Sequence, residues 1–157
     1  MTALEGVVAA PPSDPPPDDA SGTMRRRARV LVVDDEVLVA ESLRRVLSDE
    51  FAVSAITTPQ EALDRLAGGD SFDVILCDVM MPVMNGIELR ERVQAFAPEQ
   101  AARIVFITGG ILVPQVRALL ESVPNAWLEK PIDLEGLRDL IRRRIRGVAW
   151  QIARGGV

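Results

Sequence analysis

Val74-Ile75-Leu76-Cys77-Asp78-Val79-Met80-Met81-Pro82 is the stretch that decides the fold of this chain. The unbroken apolar run from Val74 to Cys77 does not alternate, so its strand is covered on both faces, as in a parallel sheet between two layers of helices. Asp78 then stands at the carboxyl end of that strand. In open α/β sheets this edge borders the crevice where ligands bind. Pro82 and the Asn85-Gly86 pair turn the chain before an amphipathic segment begins.

Working outward, the same grammar repeats. Val30-Leu31-Val32-Val33 reads as a buried strand ending in Asp34-Asp35-Glu36, followed by a helix from Val37 to about Leu47. Phe51 to Ile56 reads as a second strand. Thr58-Pro59-Gln60-Glu61 has the pattern of a capping box opening a short helix that ends at Gly68-Gly69. After the central strand, a helix is expected from about Gly86 to Phe96. A fourth strand, Ile104 to Ile107, leads into Thr108-Gly109-Gly110, then a helix over about 113–122. Ala126-Trp127-Leu128 is a short fifth strand before Glu129-Lys130-Pro131. Asp133 caps a last helix expected to run to about Arg146, where Arg142, Arg143, Arg144 and Arg146 complement its negative end.

Strand and helix alternate five times, and right-handed crossovers make this a doubly wound α/β domain with a parallel five-stranded sheet. Residues 1–24 are rich in Pro, Ala, Asp and Ser and are expected to form a disordered tail. The folded domain is placed at 25–147, with a short tail at 148–157 and no output domain on this chain.

Composition narrows the chemistry. The chain has 157 residues, 48% of them apolar, which suits one domain with a single core. A net charge of −5 argues against non-specific nucleic-acid binding as the main activity. The lone Cys77 forms no internal disulfide and fits a reducing cytosol; no apolar run approaches the length of a bilayer span, so a cytoplasmic protein is expected. Histidine is absent, which removes His-based metal sites and His-mediated proton transfer. Lys130 is the only lysine, every other basic side chain being arginine. It marks a place that needs a compact ammonium rather than a planar fork.

The candidate functional residues all fall at strand ends: Asp34 and Asp35 after the first, Asp78 after the third, Thr108 after the fourth and Lys130 after the fifth. Parallel strands put these ends on one edge. Three crowded carboxylates repel and raise one another's pKa unless a cation compensates them, a task for a hard divalent ion such as Mg²⁺, which still accepts a phosphate oxygen. The chemistry that uses this set is phosphoryl transfer to a carboxylate, with Asp as nucleophile and the ammonium and hydroxyl neutralising the transferred group.

On Asp34-Asp35, on Asp78 with Met81-Pro82 and Gly86, on Thr108-Gly109 and on Lys130-Pro131, the chain resembles the receiver domain of two-component response regulators over about residues 28–147. The resemblance implies a flavodoxin-like fold with strand order 2-1-3-4-5, the order given for a receiver protein. It implies Asp78 as phosphoacceptor, and Asp34, Asp35, Asp78 and the backbone carbonyl of Met80 as Mg²⁺ ligands. Lys130 would hold a phosphoryl oxygen, Thr108 would be the switch residue, and a cis peptide would join Lys130 to Pro131. A histidine kinase or histidine phosphotransfer protein would be the donor. A downstream protein would bind the surface around the last two helices and fifth strand, without direct contact to nucleic acid or membrane. On this reading the chain is a phosphorylation-activated signalling switch of a phosphorelay, with no turnover beyond its own phosphorylation and dephosphorylation.

Departures from the family pattern are also legible. The switch aromatic position holds Trp127 where Tyr or Phe is usual, Val123-Pro124-Asn125 replaces a small-residue link, and Met80 and Gly110 offer no polar side chain to orient an attacking water. Slow self-dephosphorylation is expected. The alternatives are a phosphorylation-independent receiver-like scaffold and an Asp-nucleophile phosphohydrolase. The phosphohydrolase fits less well because its nucleophile lies in an Asp-x-Asp after the first strand, whereas here the two Asp residues are adjacent. No glycine-rich phosphate loop follows the first strand.

Overall fold

The computed structural model describes residues 26–109 and 113–153, and side chains as far as residue 147. The proline-rich segment 1–24 and Gly110 therefore lie outside the described residues. The strands are β1 (Arg29–Val33), β2 (Ala52–Ile56), β3 (Val74–Asp78), β4 (Ile104–Thr108) and β5 (Trp127–Glu129). The helices are α1 (Val37–Leu47), α2 (Pro59–Ala67), α3 (Gly86–Phe96), the short α4 (Pro98–Ala101), α5 (Pro114–Glu121) and α6 (Leu134–Ala153). All strand pairs are parallel, in the order β2-β1-β3-β4-β5.

Successive residues of each strand face opposite sides, and each side has its own core. Val30, Val32, Val74, Leu76, Val105 and Ile107 pack on α1 and α6 through Leu43, Leu47, Leu137 and Ile141. Leu31, Val33, Ile75, Cys77, Ile104 and Phe106 pack on the other helices through Leu66, Leu89, Val93 and Leu120. That double burial is why β1, β3 and β4 carry no polar alternation: all their residues are buried.

Several local expectations are revised. Thr58 accepts from the Glu61 N–H (3.2 Å), one half of the expected capping box. The complete box is at Asn85–Glu88, where each side chain takes the other's backbone N–H at 2.8 and 2.9 Å. α3 spans Gly86–Phe96 as expected, and Pro98 then opens the additional short α4, because proline is tolerated in a first helical turn. α6 passes the expected end near Arg146 and runs to Ala153, so 148–153 continue the helix rather than forming a tail. The arginines are consequently not in its last turn. Arg142 instead makes a two-pronged pair with Glu50 (2.6 and 2.7 Å), and Arg143 lies 3.7 Å from Asp139. Asp133 caps the helix as expected, accepting from Gly136 N–H at 3.1 Å.

The link 123–125 fastens the opposite edge of the sheet. Buried Asn125 donates to the carbonyls of Ala101 and Ile104 at 2.9 and 2.8 Å, and accepts from Arg90 Nε at 2.6 Å. Nearby, the buried Arg29 lies over the Phe72 ring at 4.6 Å and meets Asp70 at 3.0 Å, which also pairs with Arg65 at 2.7 Å. Burial pushes the Asp70 carboxyl up, but hydrogen bonds from Arg65 and Arg29 outweigh it and hold it below the usual carboxylate range. A depressed folded-state pKa contributes stability that is present above the unfolded value and lost as pH falls through the folded one. Asp70→Asn should therefore cost about 2 kcal/mol at neutral pH, by leaving Arg29 buried without its anion. The cost should shrink as pH falls below the ordinary aspartate value of 3.8 towards the lower folded-state one, in urea unfolding followed by circular dichroism.

Candidate functional site

Three elements deliver the acidic cluster. β1 ends at Val33, and the ladder continues one residue further through Asp34 N–H to Ile56 O (3.2 Å), which fixes Asp34 at the sheet edge. Its Oδ1 accepts from Glu36 N–H at 2.9 Å, holding the carboxylate in one orientation. Asp78 closes β3 in register with Ile107 and is 7% exposed. Asp34, Asp35 and Asp78 each offer an oxygen within 4.8 Å of the others.

Lys130 arrives from β5, its N–H donating to Thr108 O at 2.7 Å and its bond to Pro131 cis, as expected. Its Nζ is 3.4 Å from Asp34 Oδ2 and 3.9 Å from Glu36 Oε1. The only lysine is therefore held against Asp34, with an acidic neighbour, Glu36, that was not singled out in the sequence. Thr108 ends β4 and is buried. Trp127 lies at the far edge of the sheet, partly buried on the core that holds Phe106 and Leu120, with the Arg117 guanidinium 5.8 Å from its ring centroid. The Met80 side chain is exposed.

The loop between β3 and α3 makes the recess. Its ends are tied by Gly86 N–H to Val79 O at 2.8 Å, and Met81 and Met84 are buried beneath it. Gly86 has no room for a side chain: a Cβ there would stand 2.6 Å from Asp78 O and 3.3 Å from Cys77 Sγ. The glycine lets α3 start directly against the end of β3.

Electrostatically the cluster is under-compensated. Burial, then Asp34, push Asp78 up to about 7; Lys130 opposes this, and Asp35 adds to it. Buried Cys77 is pushed up by burial and by Asp78 and Asp34, which leaves its thiol protonated. Oxygen-only carboxylate donors, so close that one of them resists ionising, fit a small hard divalent cation, which restores the ionised form by its charge.

Comparison with known proteins decides the family. The response regulator receiver domain profile matches residues 30–142. The chain belongs to the response regulator receiver family. The receiver domain matches within it include response regulator MprA of Mycolicibacterium vanbaalenii, 35% identical over 73% of this chain and 49% of that protein. Two-component response regulator 24 of Arabidopsis thaliana is 27% identical over 71% of this chain and 80% of that protein. The chain thus spans about half the length of MprA. Among solved structures, a receiver domain protein of Clostridium thermocellum superposes with a TM-score of 0.69 at 22% identity, covering 78% of this chain and 98% of that one. The chemotaxis protein CheY4 of Vibrio cholerae gives 0.63 at 30% identity, covering 74% and 98%. The flavodoxin-like receiver fold with order 2-1-3-4-5 is therefore shown by topology and likeness together. Among the described residues no helix is long and apolar enough to cross a membrane.

Two outcomes test this site. Gly86→Ala should lower stability by about 1–3 kcal/mol in thermal unfolding, because the backbone of Asp78 has to move to admit the methyl group. The second concerns pH. An acid whose folded pKa, about 7, exceeds its unfolded value, 3.8, binds more protons when folded, so this group weakens the fold as pH rises between them. A divalent cation held by the three carboxylates would remove that penalty, so the rise in melting temperature on adding Mg²⁺ should be larger near pH 8 than near pH 5.5 and should shrink in Asp78→Asn.

Proposed function

We propose that the chain is a phosphorylation-dependent switch in which Asp78 is the phosphoacceptor. The observation that carries this is the meeting of Asp34, Asp35 and Asp78 within 4.8 Å beside Lys130, on the edge of the sheet where Thr108 also ends its strand. In the reaction an ionised Asp78 oxygen attacks the phosphorus of a phosphohistidine on another protein; the new O–P bond forms as the N–P bond breaks and the imidazole leaves with the electron pair. This chain has no histidine of its own, so the donor is a histidine kinase or a histidine phosphotransfer protein.

Asp34, Asp35, Asp78 and the Met80 carbonyl would hold Mg²⁺, which supplies positive charge against the transferred phosphoryl oxygens. Lys130 needs only to turn from Asp34 to meet a phosphoryl oxygen, and the Thr108 hydroxyl donates to another. The receiver domain begins at about residue 25, after the proline-rich segment 1–24, includes α6 as far as Ala153, and acts in the cytoplasm. Its output is a downstream protein bound at the face formed by α5, β5 and α6, with Trp127 in the aromatic switch position.

Intact-protein mass spectrometry after incubation with acetyl phosphate, with and without Mg²⁺, tests the assignment. One phosphoryl adduct is expected, dependent on Mg²⁺ and absent in Asp78→Asn. An unmodified wild type would favour a scaffold that works without phosphorylation, and steady release of phosphate from a phosphomonoester would favour a hydrolase. The adduct should decay over minutes or longer, since Met80 brings no polar side chain to orient water; decay within seconds would contradict that role for position 80.

A further inference from the structure

Taking Asp78 as the acceptor, we propose that Val83 and the cleft beside it receive an apolar side chain of the phosphohistidine-bearing donor protein, and so discriminate protein donors from small ones. Val83 is completely exposed, although Met81 and Met84 on either side of its turn are buried. Its φ is +74°, and the Met84 N–H donates to Pro82 O at 2.8 Å across it. An i to i+2 hydrogen bond about a residue of positive φ is a γ-turn of the rare, strained kind. A β-branched side chain resists that backbone; glycine or asparagine adopts it more readily. The turn thus holds an apolar side chain in water on a backbone that disfavours it, and strain of this sort collects at functional positions.

What lies next to Val83 says what the side chain is for. Val83, Pro82 and Met84 form one wall of a cleft of about 240 Å³, and Thr57, Pro59 and Asp35 form the other. That volume falls short of the roughly 300 Å³ at which small-molecule pockets begin, and suits a single anchoring side chain. Asp35 belongs both to the cleft and to the carboxylate cluster, so the cleft adjoins the cluster that holds Asp78. Asp78 is itself only 7% exposed. A phosphohistidine carried by a protein reaches it only by projecting into the recess, which brings the donor surface around that histidine down onto the rim where Val83 and Met80 stand exposed. Acetyl phosphate carries no such surface and has no need of that rim.

The test compares two donors on the full chain and on Val83→Gly and Val83→Asn, both of which ease the backbone. Transfer rates are measured from acetyl phosphate and from the purified, autophosphorylated histidine kinases of the source organism, keeping the fastest kinase, and thermal unfolding checks the fold. The ratio of kinase to acetyl phosphate rate should fall about tenfold or more in both variants, the scale of one lost apolar anchor. Their melting temperatures should equal or exceed that of the wild type. An unchanged ratio, an equal fall with both donors, or a wild type labelled by acetyl phosphate but by no kinase would overturn the proposal. A wild type unlabelled by acetyl phosphate would overturn the phosphoacceptor assignment and this inference with it.

Discussion

The structure depends on the crowding of three carboxylates at the carboxyl edge of a parallel sheet. At an effective dielectric of about 20, two unit charges some 4 to 5 Å apart repel by about 3–4 kcal/mol. The fold holds Asp34 and Asp78 together against that repulsion, with Asp35 next in sequence to Asp34, because both are delivered by backbone that is committed elsewhere: Asp34 by the β1–β2 ladder, Asp78 by the β3–β4 register. Neither can withdraw without breaking a buried strand. Lys130 lies 3.4 Å from Asp34, and although its charge also opposes the rise at Asp78, Asp78 is left with a proton affinity far above that of an ordinary carboxylate. The site is thus preorganised for charge that has yet to arrive.

What could be read from the sequence was whatever follows from apolar runs and their ends. Val30 to Val33, Val74 to Cys77 and Ile104 to Ile107 have no alternation, and each proved to be a fully buried strand. Once the strands are parallel, their ends must share an edge, so the meeting of Asp34, Asp35, Asp78, Thr108 and Lys130 at that edge was also legible. Pairings across long separations were not. Nothing local to Arg142 announces Glu50, which lies 92 residues away, and the arginine cluster was accordingly assigned to a helix end that lies further on. The Asn85–Glu88 box carried a readable signature, hidden because Asn85-Gly86 also reads as a turn. The backbone of Val83 had no signal at all, since valine is among the residues least expected at positive φ.

The loop from Val79 to Gly86 shows how the edge is kept open. Met81 and Met84 anchor it to the core, Gly86 N–H ties its end to Val79, and the missing Cβ of Gly86 lets α3 abut the end of β3. A side chain at position 86 would be accommodated only by moving the carbonyl of Asp78, so the start of α3 and the position of Asp78 are one constraint.

The same coupling limits how the other side of the site can move. Thr108 is paired with Glu129, its carbonyl accepts the N–H of Lys130, and Phe106 two residues earlier is paired with Trp127. Displacing the Thr108 backbone would therefore pull on the strand that carries both the ammonium and the indole. Its hydroxyl can approach an anion on Asp78 without that cost only by rotating about χ1, between staggered wells. Trp127, already partly buried and faced by Arg117, has less surface left to hide than a fully exposed aromatic, so inward rotation gains less from burial. Trp127 packs against the core that holds Phe106 and Leu120, so an inward rotation of the indole has to displace that packing.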